Sequence, residues 1–190
     1  GELEGVRQLL EESGKLFLKY SGENSTGHAN WLGNMGWYFL LTDQYEEAET
    51  MLTKGLAILE KQTYRDQHKE VWLSNRYLAL LIEKKRWAEA SEFAAQFIKS
   101  DRNNMGSKLD LKDYAIFLSL KSQADFHTNN AVSAFNTAVL SVEAVEKFTQ
   151  QFSRTVGPQF EIYTRSREIY AQLFNLCDYF RERYNNEETM

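Results

Sequence analysis

Histidine and cysteine, which often perform catalysis or bind metal ions, are few in this chain and lie far apart. The three histidines are His28, His68 and His127, and none of them stands in a His-x-x-x-His or His-Glu pairing that would bind a metal ion. Cys177 is the only cysteine, so an internal disulfide is impossible. Because Leu176 and Tyr179 flank it in a predicted helix, we expect a buried thiol without the base and positive charge that a nucleophile needs.

Sequences that would bind phosphate groups are also missing. The chain contains neither Gly-x-x-x-x-Gly-Lys nor Gly-x-Gly-x-x-Gly. The spaced pair Gly33 and Gly36 lies inside a predicted helix, where it favours close packing against a neighbouring helix. We therefore predict a protein that is not an enzyme, with no cofactor and no metal ion.

The composition indicates an all-α protein. The chain has 190 residues, of which 43% are hydrophobic and 14% aromatic, with one proline and 10 glycines to interrupt helices. A net charge of -5 gives no positive surface for binding nucleic acid directly. No apolar run reaches the roughly 20 residues that cross a bilayer, so we expect a cytoplasmic protein without membrane contact. Since the chain starts at Gly1 rather than at Met, we expect it to be a fragment of a larger protein.

Apolar spacing and helix-ending residues predict eight helices: one leading helix, three hairpins and one closing helix. The leading and closing helices are Leu3 to Tyr20 and Gln159 to Tyr184; the hairpins pair His28 to Thr42 with Tyr45 to Gln62, Lys69 to Lys85 with Trp87 to Ser100, and Leu109 to His127 with Ala131 to Phe152. We expect one domain with three parts: a leading helix and cap over 1–27, three hairpins over 28–152, and a C-terminal capping helix over 153–190.

A short sequence motif recurs at the same place in successive hairpins. The segment Tyr45-Glu-Glu-Ala48 recurs as Trp87-Ala-Glu-Ala90, in each case at the start of a hairpin's second helix. In the third hairpin Ala134 occupies the place of Ala48 and Ala90, where a small side chain allows two helices to approach closely. A helical hairpin repeated at this period cannot bury its apolar face alone, so the pattern predicts that the hairpins stack side by side.

At these residues the chain resembles the tetratricopeptide repeat, specifically the longer 42-residue variety found in kinesin light chains. The residues that carry the resemblance are Leu32-Gly-Asn-Met-Gly36, Tyr45-Glu-Glu-Ala-Glu49, Gly55-Leu-Ala-Ile58, Asp66-Gln-His-Lys-Glu-Val71 and Asn75-Arg-Tyr-Leu-Ala79. The third copy departs from the pattern, because Lys121 and Asp125 stand where buried apolar residues are expected.

The resemblance implies a right-handed α-α superhelix whose first helices line a concave groove for a peptide or another protein. The groove positions of the family fall on Asn30, Asn34 and Trp37 in the first repeat and on Trp72, Asn75 and Arg76 in the second. Indole rings provide large apolar surfaces for a ligand, and amide side chains can bond both N–H and C=O groups of an extended backbone. Both tryptophans are equally compatible with a place in the core.

Three functions remain open from the sequence. The first is a non-catalytic adaptor or scaffold that binds a protein or peptide in its groove. The second is a ligand-sensing regulatory domain of a larger signalling or transcriptional regulator. The third is a self-association module that uses the aromatic face of the closing helix, although the same face could simply cap the stack. The aromatic residues of that face are Phe160, Tyr163, Tyr170, Phe174 and Phe180.

Overall fold

Eight α-helices account for most of the described chain, which in this computed structural model covers the backbone of residues 2–64, 66–101, 111–152 and 160–188. Side chains are described for residues 5–64, 66–100, 111–150 and 166–183. The helices are α1 (Glu2–Ser21), α2 (Thr26–Leu41), α3 (Tyr45–Glu60), α4 (Gln67–Glu83), α5 (Trp87–Asp101), α6 (Leu111–His127), α7 (Ala131–Phe152) and α8 (Phe160–Glu188). These ranges contain no β-strand, which confirms the all-α class. Nor does any helix within them combine the length and apolar character needed to cross a membrane.

Contacts divide the chain into two compact units. The first, Gly1–Lys84, contains α1 to α4, and the second, Lys85–Met190, contains α5 to α8. The division falls in the turn between α4 and α5. The expected parts 1–27, 28–152 and 153–190 stay a prediction. Because α4 and α5 belong to different units, their pairing stays a prediction, and so does the right-handed superhelix.

In the first unit, α2 is the central helix. It begins at Ser25, whose hydroxyl accepts a hydrogen bond from the backbone N–H of His28 at 3.1 Å and so caps the first turn. Helices α1, α3 and α4 all pack against α2. This explains why α2 is apolar on nearly every side and buries Leu32, Met35 and Phe39.

In the second unit, α6 occupies the corresponding place. It packs against α5, α7 and α8, and α7 also packs against α8. Phe117 and Leu118 of α6 are almost completely buried, and Ile169 and Leu176 of α8 close the core from the other side. Each unit therefore surrounds one central helix with three partners.

The three turns between predicted hairpin helices share one backbone feature. Asp43, Lys85 and Asn129 are the described non-glycine residues with positive φ, at 58°, 55° and 60°. In the first and third turns the next residue, Gln44 or Asn130, donates its backbone N–H to a carbonyl in the last helical turn, at 2.8 and 2.9 Å. This is the Schellman arrangement, which ends a helix and reverses the chain. The third hairpin is therefore built like the first, although its sequence departs from the pattern.

The small residues predicted at the helix contacts are completely buried. Ala48, Ala90 and Ala134 all have an exposed fraction of 0%. At Gly36 a Cβ atom would stand 2.6 Å from a side-chain carbon of Leu52, so glycine is required for the approach of α2 and α3. The spacing argument for these positions is thereby confirmed.

Some aromatic residues of the closing helix α8 contact α7, whereas another is exposed. Phe180 meets Phe135 of α7 edge to face at 5.7 Å, and Tyr170 donates a hydrogen bond to Glu146 of α7 at 3.3 Å. Phe174 is 67% exposed. The side chains of Phe160 and Tyr163 lie outside the described residues.

The predicted burial of the single thiol is wrong. Cys177 is exposed, because the inward positions of α8 are Ile169, Leu173, Leu176 and Phe180. This spacing of four, three and four residues leaves the residue after Leu176 on the outer side. Apolar neighbours in sequence were therefore a poor guide to burial here.

Candidate functional site

Four of the six predicted groove residues form one cluster in the first unit. Asn34 and Trp37 extend from α2, and Trp72 and Arg76 from α4, each pair one helical turn apart. We call these four residues the indole–arginine surface. Asn34 is exposed, and the other three are half-buried.

Arg76 lies at the centre of this surface. Its guanidinium carbon lies 3.5 Å from the centroid of the Trp72 ring and 5.4 Å from that of Trp37. One terminal nitrogen donates a long hydrogen bond of 3.5 Å to the side-chain oxygen of Asn34. Cation–π attraction of this kind contributes about 0.5–2 kcal/mol. The contacts hold a positive charge beside two large aromatic faces.

A glycine makes room for Trp72. A Cβ atom at Gly33 would lie 2.5 Å from the Trp72 ring and 2.7 Å from Leu73, distances that no packed side chain allows. The indole therefore packs directly on the backbone of α2 at this point. Gly33 thus determines where Trp72, and with it the guanidinium of Arg76, lies.

The remaining two predicted residues stand apart from this cluster. Asn75 follows on α4 but is only 9% exposed, so most of its amide is closed to a ligand. Asn30 lies one turn before Asn34 on α2 and is half-buried. The structure thus brings together Asn34, Trp37, Trp72 and Arg76.

Two of the three histidines take structural positions, and His68 is exposed. His28 is 2% exposed, shares a 2.6 Å hydrogen bond with the carbonyl of Glu23, and stacks on Trp31. His127 stacks on Trp87 at 4.1 Å. In the described part of the chain, no three residues of the types His, Cys, Asp and Glu come close enough to bind a metal ion.

Near the end of α4, Lys84 makes two ion pairs with α3. Its ammonium lies 2.7 Å from a carboxylate oxygen of Glu46 and 3.0 Å from one of Glu49. These hydrogen bonds, first to Glu46 and then to Glu49, raise the pKa of Lys84. The lysine therefore holds the end of α4 against α3.

The second unit contains a cleft that the sequence analysis missed. Its volume is about 530 Å³, and it lies between α6 and α8. Ile116, Leu120 and Phe126 supply apolar surface from α6, while Gln172 of α8 bridges the helices. Its amide accepts a hydrogen bond from the hydroxyl of Ser119 at 2.6 Å and donates one to the Ser119 carbonyl at 3.1 Å. Apolar and polar residues are spread evenly around α6, so its sequence gave no periodic signal for this cleft.

Comparison with known proteins agrees with the helical architecture. Residues 2–61 match the family model described as tetratricopeptide repeat. The matched segment begins in α1, which the sequence analysis placed outside the repeats, and extends through α2 and α3. Comparison with curated proteins found no match. Tetratricopeptide repeats generally mediate interactions between proteins and are typically non-catalytic. The family-model match thus supports a tetratricopeptide-repeat domain that includes residues 2–61.

Proposed function

We propose that the chain is a non-catalytic adaptor or scaffold that binds a peptide or protein segment on its indole–arginine surface. The observation that carries this proposal is the stacking of the Arg76 guanidinium on Trp72, with Trp37 and Asn34 beside it. Tryptophan and arginine are the residue types most enriched among the energetically dominant residues of protein interfaces.

The chemistry of the surface favours a ligand segment with an acidic side chain next to a large apolar one. A guanidinium can donate two parallel hydrogen bonds to a carboxylate, and its orientation is already restricted by the Trp72 ring. The indole of Trp37, which lies farther from the guanidinium than that of Trp72, would take the apolar side chain. The exposed amide of Asn34 would bond the ligand backbone.

The binding experiment starts from a random peptide library selected on the chain. We expect enriched peptides to combine Asp or Glu with an aromatic or aliphatic residue. Arg76→Ala and Trp37→Ala should each weaken a selected peptide by about tenfold or more, since one such contact contributes about 1.4 kcal/mol. Arg76→Lys, which keeps the charge without the planar stacking group, should recover only part of the affinity.

The matched control is Lys61→Ala, which removes an exposed cation at the end of α3. It should leave peptide affinity unchanged. Circular dichroism and thermal melting of every variant separate lost binding from lost folding. Selected peptides without acidic residues, or affinities that Arg76→Ala does not change in a folded variant, would count against the proposal.

Ligand sensing is the second candidate function, and the cleft between α6 and α8 favours it. A volume of about 530 Å³ is within the usual range for small-molecule sites, roughly 300–1,000 Å³. Gln172 and Ser119 already bond each other across it, so a ligand would have to replace or extend those hydrogen bonds. Screening a fragment library by ligand-observed NMR tests this function, with Leu120→Trp as the variant that fills the cleft.

A further inference from the structure

Helix α1 has a broad apolar face, and only one side of that face packs against other helices of the first unit. The covered side packs on α2: a Cβ atom at Gly14 would lie 2.4 Å from Trp31, and Phe17 lies beside Gly27. Leu10 packs against the core of the first unit. The apolar face continues around α1 onto a side that no other described helix covers.

The uncovered side consists of four large side chains. The exposed fractions are 44% for Val6, 68% for Leu9, 56% for Leu16 and 73% for Tyr20. Their spacing of three, seven and four residues follows the first and fourth positions of a heptad, the pattern of a helix that packs along another helix. Ser13 fills the remaining position of this stripe. A stripe of exposed apolar side chains on a helix is typical of an interaction surface.

Two opposite charges border the stripe on its outer edge. Glu12 and Lys19 are both exposed and are separated by two helical turns. Glu12 accepts a long hydrogen bond of 3.5 Å from Gln8, and the Lys19 ammonium lies 5.0 Å from the centroid of its neighbour Tyr20. Neither residue makes an ion pair within the described part of the chain.

We propose that α1 is a homodimerisation helix, which pairs antiparallel with α1 of a second copy of this chain. When the stripes of two copies face each other around a two-fold axis, Leu9 of each copy meets Tyr20 of the other, and Leu16 meets Ser13. The same register places Glu12 of each copy beside Lys19 of the other, at the flanking heptad positions where interhelical ion pairs form. The surface is therefore complementary to itself, as a two-fold interface requires.

The charge arrangement selects this orientation. A parallel pairing in register would place Glu12 on the same level as the other copy's Glu12, with no opposite charge facing it. In the antiparallel pairing both rim ion pairs form at once. The second copy is thus the occupant whose charges the stripe matches.

Sedimentation velocity over a range of concentrations tests the proposal on the complete 190-residue chain. We expect a reversible dimer that the double variant Leu9→Ser/Leu16→Ser weakens about a hundredfold or more, since four exposed leucines leave the interface. Because both residues are exposed, the thermal melting of this variant should stay close to that of the monomeric wild-type chain. The control is Phe174→Ser, which removes the most exposed described aromatic residue of α8 and should leave the dimer intact.

Charge exchange then tests the register. Glu12→Lys alone and Lys19→Glu alone should each weaken the dimer by about tenfold at low salt, because each places like charges opposite one another. Combining the two substitutions should restore wild-type dimerisation, since the ion pairs re-form with reversed sign. A chain that remains monomeric at every concentration overturns the proposal. So does a dimer that Phe174→Ser abolishes, or a double charge variant that is not restored.

Discussion

The carboxylate of Asp125 forms a buried ion pair with the ammonium of Lys121, one turn earlier in α6. Asp125 is 1% exposed and Lys121 9%. The carboxylate also accepts hydrogen bonds from the hydroxyls of Ser91 in α5 at 2.5 Å and Ser133 in α7 at 2.6 Å. The pair therefore links three helices of the second unit, at positions where the repeat pattern expects apolar residues.

Removing one partner of this pair should be strongly destabilising. Asp125→Ala leaves the Lys121 charge buried among helices α5, α6 and α7 and removes the acceptor for two hydroxyls. We expect a loss of about 3 kcal/mol in the free energy of unfolding, in the range found when a buried ion pair is broken from one side. Urea unfolding followed by circular dichroism measures this loss.

The control replaces both charges at once. Lys121→Met/Asp125→Leu restores the apolar side chains that the pattern expects, so it should cost less than Asp125→Ala alone. If the double variant were the less stable of the two, the specific hydrogen bonds to Ser91 and Ser133 would outweigh the burial of charge.

Gly33→Ala should displace Trp72. The added methyl group would lie 2.5 Å from the indole, so the ring must move away from α2 and take the stacked Arg76 with it. Overpacking of this kind costs about 1–3 kcal/mol, against a gain of about 0.5–1 kcal/mol for replacing glycine in a helix. We expect a net loss of stability, a shifted tryptophan emission maximum and weaker binding of selected peptides.

Gly5→Ala is the matched control, because nothing lies within 4 Å of its added methyl group. It should leave stability unchanged or slightly increased, without any change in tryptophan emission. Equal emission spectra for Gly33→Ala and the wild-type chain would show that Trp72 does not depend on Gly33 for its position.

The backbone pattern of the repeats could be predicted from the sequence because it depends on local rules. Small residues at Ala48, Ala90 and Ala134 mark where helices touch, and all three are buried. Asp43 and Asn129 are residue types that tolerate positive φ, so they could have indicated the helix-ending turns as well. Lysine is not a residue type that favours positive φ, so the residue type of Lys85 did not indicate its turn. Only its position, equivalent to those of Asp43 and Asn129, could have done so.

Side-chain contacts between distant helices could not be predicted in the same way. The stacking of Arg76 on Trp72 depends on side-chain rotamers and on the close approach that Gly33 allows. The positions of Lys121 and Asp125 are buried, as the repeat pattern expects, but by charged rather than apolar residues. Burial of these charges is possible because the two partners are buried together. Exposure of Cys177 depended on which face of α8 packs inward, and its apolar sequence neighbours did not determine that face.

Trp31→Phe should loosen α1 from α2. The indole N–H donates a hydrogen bond of 2.6 Å to the carbonyl of Leu10, and the ring packs against Gly14. Phenylalanine keeps an aromatic ring but removes the donor and part of the packing, for an expected loss of about 1–2 kcal/mol. Hydrogen exchange should become faster in α1 than in α3; a uniform increase over both helices would show that the contact supports the whole unit rather than α1.

Asp66→Ala should destabilise the start of α4. The Asp66 carboxylate caps this helix by accepting a hydrogen bond from the backbone N–H of Lys69 at 3.3 Å, and it pairs with the Lys69 ammonium at 2.9 Å. Loss of such a cap costs about 1 kcal/mol. Asp66→Asn, which retains a capping oxygen without the charge, should recover most of that stability at neutral pH.

Comparing the wild-type chain with Asp66→Asn as the pH falls isolates the effect of the Asp66 charge, because both proteins keep a capping oxygen. Partial burial raises the pKa of Asp66, but the hydrogen bonds and charge of Lys69 outweigh it, and the pKa lies below its ordinary value of 3.8. The contribution of the charged form is therefore complete above the ordinary pKa and is lost as the pH falls through the lowered one. Urea unfolding between neutral and acidic pH should show wild-type stability falling towards that of Asp66→Asn, by a small amount because solvent screens this exposed pair. A constant difference between the two proteins over that range would show that the Asp66 charge does not contribute to folding.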